Sequence, residues 1–455
     1  MRLQLLLSLL LSQDVLSFAP VYQPKPVVKP LGLSSQGISP TSDGDPHLPP
    51  GRRTPRFLSF LFDDTIQLIN PKTMGSYQLK RKKQYGEVFK TNIFCMPTVF
   101  VTGEDALADL GKEEARGTME AFFPPHHQRL FGEQALLVQS GETHSRLRRL
   151  IQPILAPSVT SSLYQPIIDD ALKTFLSELK EENDYFKLVP KIRAFFISIA
   201  IRILLGKDAA VPEGLAEDLT TWSKGLVSAP LTFIPWSTAA KAVRARKRIL
   251  ATIEPMLEAE RQSDQSSNSL LGRFVSSKDD EGNTLSNQDI MDNVLTLIFA
   301  GSDTTASAAT SMILAMSLDP NLKKEARDDS KVEALVQQVL EKYPPAPFSM
   351  RLAKQPLSIK GYDIQADWLV VYGFAGALGD RDDQTVSPDT AAPARSVSFG
   401  AGPRMCPGRY LAVMELTMLY RELLDYEWTL KGSQDLTQTY TPGFFSKDGL
   451  QIRFQ

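Results

Sequence analysis

From Gly51 to the C-terminus, apolar residues recur every three or four positions over long stretches, which is the pattern of amphipathic helices. Alternation with β-branched residues replaces that period in four short segments, which are predicted strands: 88–91, 98–102, 357–359 and 368–372. No internal repeat or low-complexity stretch interrupts this region. The pattern therefore predicts one domain over residues 51–455 that is mainly α with a small β portion.

The longest helix is predicted between Ser286 and Leu318. Ser286 and Asp289 form a capping-box pattern at its start, and apolar residues continue to Leu318 before Asp319. About 32 residues at ~1.5 Å each give a rod of roughly 48 Å, long enough to cross the domain. Its middle, residues 300–305, holds a glycine and two threonines, and the glycine alone costs about 1 kcal/mol. Such local weakness in a helix indicates a functional segment.

The first 50 residues form a separate unit. An apolar run from Leu3 to Leu11 is too short to span a bilayer but suits the core of a signal peptide over residues 1–17. Residues 18–50 are rich in proline and are predicted to be an extended linker. A signal peptide followed by Phe18 and a stretch without acidic residues up to Ser42 resembles the two-part plastid-targeting sequence of algae. Simple secretion and a membrane hook in the endoplasmic reticulum are the alternatives.

Composition narrows the class of protein further. The 455 residues are 42% hydrophobic and 22% charged with a net charge of −2, which suits a large core and gives no indication of nucleic-acid binding. Of the two cysteines, Cys95 is predicted to be a small buried residue, and no disulfide can form if Cys406 binds a metal. The four histidines have no spacing typical of a zinc site.

Residues 399–408, FGAGPRMCPG, form the densest motif of the chain and lead directly into an apolar-periodic helix. The glycines allow a tight turn against a flat ligand, and Cys406 stands before a helix N-terminus, where amide groups and the helix dipole favour a thiolate. Arg404 is placed to meet an anionic group. Haem b combines these requirements, with its iron on sulfur and its propionates on arginine. We therefore predict Cys406 as the metal ligand and Arg404 as a cofactor-binding residue.

This segment resembles the F-x-x-G-x-R-x-C-x-G loop of the haem-thiolate monooxygenases called cytochromes P-450, and it matches every fixed position, beginning with Phe399. Residues 300–305 likewise match the family's A-G-x-D-T-T pattern. The resemblance implies the P-450 fold and a proton-delivering pair, Asp303 and Thr304. It also implies that Phe399, Ala300 and Gly301 lie against the cofactor, with a widened helical turn at Gly301 that leaves room for dioxygen.

The family's remaining cofactor contacts are matched only in part. His144 and Arg148 lie four residues apart on a predicted helix, and Arg351 follows a Pro-Pro pair; the resemblance implies that all three hold propionates. Where the family has Glu-x-x-Arg, this chain has Gln338 and Glu341. Either Glu341 now supplies the carboxylate for a later arginine, Arg395, with Gln338 as a neutral hydrogen-bonding partner, or selection on haem retention has been lost and the enzyme is weak or inactive.

The resemblance is strongest to retinoic-acid hydroxylases and their cyanobacterial relatives, and it implies insertion of one oxygen atom from O2 into a lipophilic retinoid, carotenoid, sterol or other terpenoid. Apolar loops at 122–131 and 230–236 predict a hydrophobic access channel for the substrate. We also expect peripheral contact with a membrane. Electrons must come from a separate protein, a ferredoxin or a reductase, and a ferredoxin would suit Arg148, Arg149 and Arg409. The alternatives are a haem-thiolate isomerase or peroxygenase acting on lipid hydroperoxides, and a degenerate haem or lipid carrier without enzymatic activity.

Overall fold

The computed structural model describes residues 47–51, 64–69, 74–206, 211–263, 268–319, 321–325, 329–378, 397–440 and 443–455. The predicted signal peptide, most of the predicted linker, and Arg395 lie outside these ranges.

Helices make up most of the described chain. They are α1 (Thr65–Ile69), α2 (Met74–Tyr85), α3 (Glu104–Ala115), α4 (Pro125–Phe131), α5 (Gly141–Ile151), α6 (Pro157–Val159), α7 (Gln165–Lys180), α8 (Leu188–Leu205), α9 (Leu215–Leu226), α10 (Thr238–Gln262), α11 (Leu270–Ser276), α12 (Asn287–Leu318), α13 (Asn321–Glu325), α14 (Asp329–Lys342), α15 (Phe374–Leu378) and α16 (Arg409–Leu423). Among the described residues, no helix combines the length and the apolar character needed to cross a bilayer.

The strands of the described chain are β1 (Val88–Ile93), β2 (Met96–Val101), β3 (Met119–Ala121), β4 (Phe186–Lys187), β5 (Ser349–Ala353), β6 (Leu357–Ile359), β7 (Tyr362–Ile364), β8 (Leu369–Tyr372), β9 (Trp428–Leu430), β10 (Gln438–Tyr440), β11 (Phe444–Ser446) and β12 (Gln451–Phe454). The largest sheet has the order β1-β2-β8-β5-β3, in which only β2 and β8 run parallel. A three-stranded sheet, β4-β12-β9, and the pairs β6-β7 and β10-β11 complete the β portion. Each of the four predicted strands is confirmed, with ends within two residues.

The long central helix α12 begins and ends where its sequence predicts. The Ser286 hydroxyl accepts the Asp289 amide at 3.1 Å, and the Asp289 carboxylate accepts the Ser286 amide at 3.0 Å, which forms a complete capping box. Between Ile290 and Met316 most side chains are buried, and the buried apolar ones pack in the main hydrophobic core. The mainly α fold with small sheets is thereby confirmed.

Two contacts position the cysteine loop against this framework. Gly402 has a φ of 69°, and a Cβ atom there would lie 2.6 Å from the backbone oxygen of Gly111, so α3 and the loop approach more closely than side chains would allow. On the other side of the loop, α16 carries Glu415, which is hydrogen-bonded to Thr305 of α12. Burial raises the pKa of Glu415 to about 8, so this link between the two helices involves a largely neutral carboxyl group at pH 7.

Candidate cofactor site and active site

The cysteine loop closes on itself before α16 begins. The Cys406 amide donates to the Phe399 carbonyl at 2.9 Å, and Gly400 turns the chain with a φ of 80°. The Gly408 amide is hydrogen-bonded to the Cys406 sulfur, as expected for an amide at the start of a helix. The loop therefore presents one partly buried sulfur atom ahead of the helix N-terminus.

The buried position of Cys406 opposes the ionisation of its thiol that the loop sequence predicts. Burial raises the pKa of the thiol above its usual value, and the Gly408 amide, Arg148 and Arg409 only oppose that shift. Burial in the folded domain therefore opposes ionisation of the thiol, while the loop amide and the two arginines favour it. A coordinated metal ion would favour the thiolate further.

One face in the middle of α12 is open, although the rest of the helix is buried. Ala300 is exposed, and Leu297, Gly301 and Thr304 are partly exposed, at the three- and four-residue spacing of a single helical face. A Cβ atom added at Gly301 would meet nothing within 4 Å. The predicted widening of the turn at Gly301 is wrong as stated, because the segment remains an unbroken α-helix; the space comes instead from the missing side chain.

The two predicted proton-delivering residues have different surroundings. The Thr304 hydroxyl on the open face donates to the Ala300 carbonyl at 2.5 Å. The Asp303 carboxylate is buried and forms an ion pair with Arg193 of α8, with Nε 2.8 Å and Nη2 2.5 Å from Oδ1. Burial raises the pKa of Asp303, while Arg193 and a hydrogen bond from Ser223 oppose the shift. No local sequence signal could have indicated Arg193, because it contacts Asp303 only through the packing of α8 on α12.

Replacing Thr304 with alanine should lower the amount of product formed per reductant consumed severalfold, because the open face loses its hydroxyl group. Thr304→Ser is the matched control, since it keeps the hydroxyl and should keep most of the coupling. Parallel measurement of reductant oxidation and product formation checks this expectation. Equal coupling in the native protein and in Thr304→Ala would remove Thr304 from proton delivery.

The predicted propionate-binding residues come together in the structure. His144 is buried, and burial together with Arg404, Arg148 and Arg351 lowers its pKa to about 4, so it is neutral at pH 7. Burial and the neighbouring Arg351 lower the pKa of Arg404 to about 10, which leaves it charged. A buried acid that the sequence motifs did not indicate, Glu114, forms ion pairs with both Arg351 and Arg404.

The two residues that replace Glu-x-x-Arg are both buried on α14. Gln338 is 9% exposed and Glu341 is 1% exposed. Their neighbour Gln337 donates to Glu341 at 3.3 Å and to the Ser398 hydroxyl at 3.0 Å, which ties α14 to the segment just before Phe399. The predicted pairing of Glu341 with Arg395 stays a prediction, because Arg395 is outside the described residues.

An aromatic cluster packs against α12 at Phe299, the residue before Ala300. Phe299 of α12, Phe131 of α4 and Trp222 of α9 have ring centroids 5.5 to 5.8 Å apart, and Phe123 lies 6.1 Å from Phe131. The predicted channel residues therefore divide into two groups. The loop at 122–131 contributes to this interior cluster, whereas Phe233 and Trp236 of the second loop are 49% and 77% exposed at the surface.

These residues fit haem on three counts. The chain has a single cysteine at the start of a helix, a helix face opened by a glycine that no side chain fills, and a buried cluster with more arginines than carboxylates. The last feature suits a ligand with two carboxylates, because buried charges need partners. Fold and site together define a haem-thiolate protein.

The chain belongs to the cytochrome P-450 family, whose profile matches residues 49–451. It is a haem-dependent monooxygenase that uses haem b with a cysteine thiolate as axial ligand, and it takes a lipophilic substrate, O2 and electrons from a redox partner. The sequence-based assignments of family, cofactor and reaction class are thereby confirmed.

Several known proteins resemble it along most of their length. The putative cytochrome P-450 120 of Synechocystis sp. is 27% identical over 447 residues, covering 91% of this chain and 98% of the relative. Abscisic acid 8'-hydroxylase 1 of Arabidopsis thaliana is 25% identical and covers 86% of this chain and 88% of the relative. Among solved structures, retinoic acid bound cyanobacterial CYP120A1 superposes with a TM-score of 0.78 at 25% identity, covering 86% of this chain and 96% of that chain.

Proposed function

We propose that this monooxygenase hydroxylates a C–H bond of a retinoid, carotenoid, sterol or other terpenoid. The observation that carries the proposal is the open face of α12, where the missing side chain of Gly301 leaves space within an apolar interior. Such a space favours hydrophobic, unsaturated ligands over polar ones. Similarity to proteins named for abscisic acid and retinoic acid supports the same class of substrate.

Different residues of this chain perform different parts of that reaction. Haem, when bound, supplies dioxygen binding and electron transfer at its sulfur-ligated iron. The apolar interior around α12 excludes water, and Thr304 holds a hydroxyl proton on the open face. The carboxylate of Asp303, the residue before Thr304, is held in an ion pair with Arg193. Proton transfer through Asp303 therefore requires this ion pair to loosen.

Substrate-induced spectral titration tests the proposal directly. A panel of retinoids, carotenoids, sterols and fatty acids is added to the haem-loaded protein, and the absorption change at the Soret band reports binding near the iron. We expect saturable binding of at least one terpenoid, weakened by Leu297→Ala, which removes apolar surface from the open face. Binding of fatty acids alone would contradict the proposed substrate class.

The retained pair of Asp303 and Thr304 favours O2 over lipid hydroperoxides as the oxygen source, because an isomerase or peroxygenase does not need the Asp303–Thr304 relay. Turnover with a reductant and O2, compared with turnover on hydroperoxide alone, distinguishes the two. Product from hydroperoxide alone would favour the isomerase or peroxygenase, and no product from either would favour a non-enzymatic haem protein.

We further propose a ferredoxin as the electron donor, docking on the cysteine-loop side. Arg409 follows the loop and acts electrostatically on Cys406, while the exposed Arg149 of α5 has only a loose ion pair with Asp280 at 3.5 Å. Arg149→Glu should raise the KM for ferredoxin severalfold at low salt, because rim charges mainly steer association. The matched control is Arg248→Glu, an exposed arginine on α10 that pairs with Asp218. Equal KM values for both variants and the native protein would contradict this docking site.

The plastid is the proposed location, supported by the apolar run and the acid-poor stretch of residues 1–50. A fluorescent protein fused after residue 50 tests it in an algal cell. Accumulation in the endoplasmic reticulum would contradict it.

Peripheral membrane contact is proposed through the exposed Phe233 and Trp236, beside the exposed cations Lys224 and Lys241. Loss of vesicle binding in Trp236→Ser would support that contact, and unchanged binding would argue against it.

A further inference from the structure

Glu114, at the C-terminal end of α3, connects three side chains. Its Oε1 atom accepts a hydrogen bond from Arg351 Nε at 2.5 Å and forms an ion pair with Arg404 Nε at 3.1 Å, and its Oε2 atom accepts a hydrogen bond from the Tyr372 hydroxyl at 2.9 Å. The Glu114 side chain is 3% exposed, and the Arg351 and Arg404 side chains are 6% and 11% exposed. Charge-assisted hydrogen bonds in such a dry setting are among the strongest that a protein makes.

The backbone fixes this arrangement from two directions. The close contact of Gly111 with Gly402 sets the end of α3 against the cysteine loop, which places Glu114 beside Arg404. Strands β5 and β8 bring Arg351 next to Tyr372, with the guanidinium carbon 4.9 Å from the ring centroid. Three further bonds from Arg404 reach the loop before α5, at the Leu137 carbonyl at 3.2 Å, the Gln139 carbonyl and the Ser140 hydroxyl at 3.1 Å, and they leave one Nη1 hydrogen for another acceptor.

Counting charges around His144 shows what the cluster lacks. Arg148, Arg351 and Arg404 all act on His144 electrostatically, and His144 itself is neutral at pH 7. Within the described ranges, Glu114 is the one carboxylate ion-paired to Arg351 or Arg404. The three arginines and Glu114 together carry a net charge of +2, which a porphyrin with two propionates would neutralise.

We propose that Glu114 is a positioning residue for the cofactor: it holds the Arg351 and Arg404 guanidiniums side by side, so that they are already oriented for the haem carboxylates. Two adjacent buried guanidiniums would otherwise repel each other and rotate apart. Tyr372 supports the same carboxylate. This role concerns the seating of haem and does not depend on which substrate the enzyme takes.

The test compares haem with haem dimethyl ester, which lacks both negative charges. Full-length protein is loaded with either porphyrin, and release into excess apomyoglobin is timed. The ratio of the two release rates measures recognition of the carboxylates. We expect the native protein to hold haem much longer than the ester, and Glu114→Gln to reduce that ratio roughly tenfold by weakening charge-assisted hydrogen bonds. A merely structural Glu114 would change both rates alike.

Two further variants complete the experiment. Glu113→Gln is the matched control, because its carboxylate lies on the same helix but pairs with the exposed Arg116 at the surface, and it should leave the ratio unchanged. Tyr372→Phe removes one hydrogen bond to Glu114 and should lower the ratio to a smaller extent, which keeps the test decisive if Glu114→Gln does not fold. An unchanged or raised ratio in Glu114→Gln and Tyr372→Phe, an equally lowered ratio in Glu113→Gln, or a native protein that does not distinguish the porphyrins would overturn the proposal.

Discussion

Replacing Cys406 with serine should abolish oxygen insertion altogether. A hydroxyl group is a poor substitute for a thiolate, whose electron donation to the iron favours cleavage of the O–O bond. We expect no measurable product from Cys406→Ser even in molecules that retain haem, together with loss of the thiolate signature in the absorption spectrum. Haem content, spectrum and turnover are measured on the same preparation.

Cys95 provides the matched control for that experiment. It is partly buried in the turn between β1 and β2, and the Cys95→Ser variant should keep haem, spectrum and turnover close to native values. Product formation by Cys406→Ser at a rate near native, or a loss of the thiolate spectrum in Cys95→Ser, would contradict the assignment of Cys406 as the ligand.

Asp303→Asn should lower turnover roughly 100-fold, because positioned proton transfer contributes about 10²–10⁴-fold to a rate. Asparagine keeps the shape of the side chain and one oxygen that can accept from Arg193, so haem content and substrate affinity should be retained. The substitution removes the ionisable group and leaves the Arg193 charge without a carboxylate. Turnover, substrate titration and the solvent deuterium isotope effect are measured, and we expect the isotope effect to rise as proton delivery becomes slower.

The same helix offers a closely matched control for Asp303. Asp292 is also buried on α12 and forms an ion pair with Arg246 at 2.5 Å, about three helical turns before Asp303 and away from the open face. Asp292→Asn should cost comparable stability while leaving turnover per haem near the native value. If both variants lose turnover in proportion to their stability, Asp303 is a structural residue and its proposed catalytic role is wrong.

The parts of the fold that sequence could predict are those encoded locally. The capping residues Ser286 and Asp289 and the apolar run to Leu318 defined α12 to the residue, because caps and helical periodicity depend on neighbours within a turn or two. The segment 399–408 placed the sulfur before a helix for the same reason. The cofactor-binding set of His144, Arg148, Arg351 and Arg404 came from the family resemblance, and the structure places its members around one another.

The features that sequence did not predict depend on contacts between distant segments. Arg193 reaches Asp303 from a helix 110 residues earlier, and Glu114 reaches Arg351 from 237 residues earlier, so no periodic pattern indicates either partner. The raised pKa of Cys406 has the same origin, since burial depends on the packed domain and not on the loop. Trp236, expected near a channel, is exposed because its apolar loop lies at the surface between α9 and α10.

The central claim is that Cys406 binds haem iron as a thiolate, and the carbon monoxide spectrum of the reduced, haem-loaded native protein tests it most directly. We predict a Soret band shifted strongly to the red, as thiolate ligation requires. A Soret band at the position typical of haem proteins with a histidine ligand, in freshly prepared and fully loaded protein, would contradict the account.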